Sequence, residues 1–108
     1  MGKPDTRHLD RQIRETTRKL DAARQRQMWP LNGRERRAIL AAMTSVSVKV
    51  ARHKSTDRDV TKADQAWESA ATRLQAEITA LETERQNAVN AAAAEKAAKT
   101  AKKSSGWW

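Results

Sequence analysis

The chain contains no cysteine, phenylalanine or tyrosine, and only two histidines, two prolines and three glycines among 108 residues. Without cysteine, neither a disulfide frame nor a thiolate metal site can form. The two histidines, His8 and His53, are far apart in the chain. No His-x-x-x-His pair, Gly-rich phosphate loop or nucleophile elbow is present. Glu82 with Glu84 and Asp57 with Asp59 are spaced two apart, so on a helix each pair points to different faces and reads as solvated surface or cap. No catalytic residue, metal ligand or cofactor is therefore expected, and the chain reads as a non-enzyme. No window approaches the ~20 apolar residues of a membrane span, and Met1 to Asp10 is polar with no apolar run behind it. A cytoplasmic location is expected and a membrane surface is disfavoured as partner. The loose myristoylation pattern over Met1 to Thr6 is too short to alter this, since a single acyl chain anchors weakly.

Large aliphatic side chains are also scarce. Six Leu, three Ile and five Val make up about 13% of the chain, which together with a net charge of +9 falls in the range typical of disordered sequences. Twenty alanines oppose that tendency, because alanine is the strongest helix former and lets helices approach closely.

From Thr56 to Ser105 the chain contains neither glycine nor proline. Within this stretch Val60, Trp67, Leu74 and Leu81 recur every seven residues with Ala71 and Ile78 beside them. That repeat predicts an apolar seam with a slight left-handed wrap around a partner helix, Trp67 being a core residue. Arg85 falls on the stripe after Leu81 and marks where packing is expected to falter. From Ala91 to Lys103 the helix is expected to project, join another chain or fray.

Ahead of this segment two shorter helices are predicted. The first covers about 5–28, with Leu9, Ile13 and Leu20 on its buried stripe and Asp5 or Thr6 as cap. Trp29-Pro30-Leu31-Asn32-Gly33 ends it, since Pro30 disfavours helical geometry at Trp29, and Trp29 is expected to plug the first turn. The second covers about 33–53 and opens with an Asn32/Glu35 capping box. Its stripe is Ile39, Met43, Val46 and Val50, with Leu40 alongside. Ser45 to Val50 also alternates with period two as a strand would, but a lone strand has no partner within the chain. Thr56 with Asp59 matches a capping box for the third helix, at about 56–90.

The expected fold is all-α: a three-helix antiparallel bundle or coiled coil with a long, partly overhanging C-terminal helix. The bundle occupies 1–90, and 91–108 forms an Ala/Lys-rich helical or disordered tail ending in Trp-Trp.

Charge is unevenly divided. Residues 1–54 hold fourteen Lys/Arg against five Asp/Glu, residues 55–94 four against seven, and residues 95–108 four against one. A basic first half and a mildly acidic middle predict that the long helix folds back on what precedes it, with opposite charges flanking the seam. Arg7, Arg11, Arg14 and Arg18 fall in a narrow arc opposite the stripe of the first helix. Asp10 and Glu15 stand four residues from Arg14, Arg11 and Lys19, so helix-spaced pairs could quench that arc. Arg34, Arg36 and Arg37 crowd the first turn of the second helix, where the macrodipole disfavours cations, so they point to an anion of phosphate size unless Glu35 and acids of the long helix neutralise them.

The tail carries Lys96, Lys99, Lys102 and Lys103 among alanines. Over these dozen residues it resembles the Ala/Lys-rich extensions of histone-like and linker-histone-like chromosomal proteins, which implies sequence-independent binding to phosphates through counterion release. Trp107 and Trp108 are candidates for docking onto a partner or stacking on bases. The function expected is nucleic-acid backbone binding with little sequence specificity, through these basic residues. The alternative is a coiled-coil adaptor for an acidic protein, with the two tryptophans as docking peptide. Either would be an oligomer, most simply a homodimer.

Overall fold

The computed structural model describes residues 5–105 and contains three helices, α1 (Arg7–Arg24), α2 (Gly33–Ala51) and α3 (Asp57–Ser105). Both short helices pack on α3, as the all-α expectation requires, and the 45–50 segment lies inside α2. They do so in tandem. Asp10 meets Arg85 and Leu20 with Ala23 meets Leu74 and Ile78, whereas Glu35 meets Arg73, Leu31 and Ile39 pack with Trp67 and Ala70, and Lys49 meets Asp59. Each short helix therefore runs antiparallel to α3, and the two follow one another along it in the same direction. The result is a helical hairpin with one broken arm, a rod of 88 × 19 × 18 Å in which α1 and α2 occupy successive lengths of α3. Coverage by the short arm therefore extends well past the middle of α3.

The break comes earlier than Pro30. α1 stops at Arg24 because Arg26 takes a left-handed conformation, φ 63°. The amides of Arg26 and Gln27 then bond back to the carbonyls of Ala23 and Ala22, at 3.0 and 2.9 Å, closing the helix end with a Schellman motif. α2 ends the same way: His53 has φ 56°, with its amide on Val50 and that of Lys54 on Lys49. Both left-handed sites hold a residue with a Cβ, where glycine would cost less.

At the helix starts, Asn32 and Glu35 form the expected reciprocal capping box, each side chain accepting from the other's amide at 2.8 and 3.0 Å. Of the two residues expected to cap α1, Asp5 does so, its carboxylate accepting from the Arg7 amide at 3.3 Å, while the Thr6 hydroxyl donates instead to the Asp10 carboxylate. The capping box expected of Thr56 and Asp59 does not form. Asp59 turns away from Thr56 to meet Lys49.

The seam follows a different period from the heptad. Among the covered positions of α3, Asp59, Ala70, Leu81 and Ala92 recur every eleven residues, as do Ala63, Leu74 and Arg85, and Trp67, Ile78 and Val89. Eleven residues in three turns is 3.67 per turn, which implies a slight right-handed wrap in place of the left-handed one. Trp67, Leu74 and Ile78 are buried as expected, but Val60 is 47% exposed because it lies off this meridian. On α2, Ile39 and Ala42 are buried while Met43, Val50 and Leu40 are exposed: the face meeting α3 is rotated toward Ala42 and Lys49, which admits the Lys49–Asp59 pair. Trp29 is exposed, its indole N–H donating to the Gln27 side chain at 2.9 Å, and Pro30 and Leu31 fill the break instead.

Replacing His53 by glycine should stabilise the protein by about 0.5–1 kcal/mol, the relief of a left-handed Cβ less the entropy of a freer unfolded chain. A urea midpoint shifted upward with an unchanged slope is the expected result, while a downward shift would mean that the His53 side chain supplies more than its backbone strain costs.

Candidate nucleic-acid interface

Ion pairs between the arms decide which basic groups are structural. Arg73 meets Glu35 through two nitrogens at 2.9 Å, reaches the Pro30 carbonyl at 3.5 Å and holds Glu77 at 3.1 Å. Arg85 meets Asp10 at 2.6 Å, Lys49 meets the buried Asp59 at 2.6 Å, and Arg26 meets Asp64 at 2.9 Å while its guanidinium lies 5.8 Å from the centre of the Trp67 ring. Opposite charges do flank the seam, but in two of these pairs the long helix supplies the cation. Arg85 is thus an anchor between the arms rather than the point where packing falters.

These contacts shift the carboxyls involved. Arg73 hydrogen bonding holds Glu35 below its ordinary value and raises Arg73 in return, against the opposing effect of burial. Hydrogen bonding from Arg85 lowers Asp10, and that from Lys49, with help from Ser45, lowers Asp59.

What remains uncommitted is the candidate interface. Arg7, Arg11, Arg14 and Arg18 are exposed, and at 100° per residue all four lie within about 30° of the direction opposite the Thr16/Leu20/Ala23 face that meets α3. The quenching pairs do not form among the described residues: Asp10 is taken by Arg85, and the one salt bridge in the stripe is a 3.7 Å contact between Arg7 and Asp5, both largely exposed.

The second cluster divides. Arg36 is spent on the break, donating to the Met28 carbonyl at 3.3 Å and the Trp29 carbonyl at 3.1 Å. Glu35, the expected neutraliser of the cluster, faces Arg73. Arg34 and Arg37 are exposed with no salt bridge among the described residues; Arg34 lies on the flank and Arg37 on the side away from α3. Lys96 and Lys99 lie on the bare part of α3, eleven residues after Arg85 and Ala88, so they continue the seam meridian as cations; Lys99 is 3.7 Å from Glu95. Lys102 and Lys103 fall within α3, and Trp107 and Trp108 lie outside the described residues.

The opposite side of the rod is different. The outer face of α3 runs from Gln65 through Thr72, Gln75, Thr79, Thr83 and Gln86 to Asn90, with Glu68 its single charge. Basic charge missed by the sequence reading gathers at the hairpin turn, where Arg52, Lys54, Arg58 and Lys62 are exposed. Arg52 and Lys54 lie in the turn and Arg58 and Lys62 at the start of α3, and only their density around position 55 could have signalled it.

Among the described residues no group of three or more His, Cys, Asp or Glu is placed to hold a metal ion, and no helix is long and apolar enough to cross a membrane. Comparison with protein-family models, curated proteins and solved structures finds no match to this chain.

Glu35, Asp10 and Asp59 share one sign: carboxyls lowered in the folded state stabilise it above their ordinary values of 4.5, 3.8 and 3.8, and that contribution is lost as pH falls through the lowered ones. Stability should therefore decline steadily below about pH 5. The Glu35→Gln variant should be less stable at pH 7 and show a shallower decline; equal slopes in urea melts across pH 3–6 would contradict the pairing with Arg73.

Proposed function

We propose that this protein is a non-enzymatic, cytoplasmic accessory protein that binds the phosphate backbone of nucleic acid with little sequence specificity. The observation that supports this most is the row of uncommitted arginine on α1: Arg7, Arg11, Arg14 and Arg18 share its outer side, Arg37 lies on the outer side of α2, and the outer face of α3 from Gln65 to Asn90 is almost uncharged. Arg34 lies on the flank of α2, Arg36 holds the break between the short helices, and Lys96, Lys99, Lys102 and Lys103 extend the positive charge along the bare end of α3. Guanidinium groups with no internal partner are available for charge-assisted bonds to phosphate. A rod 18–19 Å thick is wider than the ~12 Å major groove, which favours backbone contact over base reading along the two-helix part.

A second reading is supported by a separate observation. Leu40, Met43, Val50 and Val60 leave an apolar flank on the α2–α3 part of the rod, suited to an adaptor or to a homodimer. In that reading an acidic protein is the partner, and Trp107 with Trp108 adds a docking element.

If about six phosphates are neutralised, log affinity for unrelated duplexes should fall with log salt at a slope of about −5 and differ little between sequences. Absence of micromolar binding at 50 mM salt would refute the nucleic-acid reading. A defined dimer by light scattering, lost in Met43→Glu without change in helicity, is what the second reading expects.

A further inference from the structure

Resting on the nucleic-acid reading, we infer that the ligand is a double-stranded segment lying along the outer crest of α1, held by Arg7, Arg11, Arg14 and Arg18, and that the lysines of the bare α3 end stand outside this contact. Arg7 and Arg18 are eleven residues apart in one helix, about 17 Å at 1.5 Å per residue. That is the length of about five base pairs at 3.4 Å per step.

Three features favour a duplex over a single strand. The crest is straight, because α1 is an unbroken helix from Arg7 to Arg24, and duplex DNA is itself straight over this distance, with a persistence length of about 150 base pairs. Rod and duplex meet without either bending, whereas a single strand would have to be extended at an entropic cost. Duplex DNA also presents one charge per ~1.7 Å of axis, a denser target for fixed arginines than a lone strand. Finally, single-strand binders add aromatic platforms for base stacking, and α1 carries no Trp, Phe or Tyr.

The lysines differ in height. Lys96 and Lys99 continue the α3 meridian that α1 covers, so they lie one helix diameter, about 10 Å, below the arginine crest. A straight duplex resting on the crest passes above them.

The test uses the full chain and fluorescence anisotropy with a 12-base-pair DNA duplex and each of its separated strands at 50 mM salt. The expected results are at least tenfold tighter binding of duplex than of either strand, at least a hundredfold loss with Arg11→Glu/Arg14→Glu/Arg18→Glu, and less than threefold loss with Lys96→Glu/Lys99→Glu, all variants retaining the parent's circular dichroism. These arginines are exposed and make no salt bridge among the described residues, so the fold does not depend on them. Equal or tighter binding of a single strand, or a larger loss from the lysine pair than from the arginine triple, would overturn the duplex-on-crest inference while leaving the nucleic-acid reading intact. Binding of neither polymer would overturn both.

Discussion

Arg73 holds together three things that would otherwise be independent. Its guanidinium takes both oxygens of Glu35, the carboxylate that also caps α2 by accepting from the Asn32 amide, and it reaches the carbonyl of Pro30 in the break between the short helices. The start of α2 and the path of the chain into it are thereby fixed to one turn of α3. Glu35 is largely buried and Arg73 about two-thirds so, which places the contact between exposed pairs worth little and fully buried ones with a heavy desolvation cost. Charge-assisted hydrogen bonds of this kind contribute about 1.5–3 kcal/mol, a large share of the stability of a chain with so few large aliphatic side chains.

With α2 fixed there, the rest of the arrangement follows. α1 is displaced along α3, its end closed by the left-handed Arg26, whose side chain lies against Trp67 and Asp64 of the long helix. Two small clusters replace a single core, one around Leu20, Ala23, Leu74 and Ile78 and the other around Leu31, Ile39, Trp67 and Ala70. α1 and α2 follow one another on adjoining faces of α3, so the four arginines of α1 form a row on its outer side while Arg37 lies on the outer side of α2.

Parts of this were legible in the sequence for physical reasons. Helix followed from alanine content and the lack of breakers, the α2 start from the Asn32/Glu35 spacing, and the arginine arc from angular arithmetic, since each depends on residues within one turn or two. The break between α1 and α2 was placed too late because Pro30 is a visible stop, whereas Arg26 adopts a conformation that usually advertises itself by glycine. The heptad through Val60 was misleading because size alone was counted. The real repeat includes Asp59, Ala63, Ala70 and Arg85, residues that are small or charged and become seam positions only through partners on the other arm. The pairing of Arg73 with Glu35, 38 residues apart, had no local signal at all.

A spin-label distance between cysteines placed at Arg11 and Ser47, both exposed positions in a chain without native cysteine, tests the tandem hairpin most directly. Asp10 level with Arg85 and Lys49 level with Asp59 predict a separation of about 35 Å along α3 at 1.5 Å per residue. A separation of about 10 Å, the spacing of neighbouring packed helices, would contradict it, since α1 and α2 would then lie side by side.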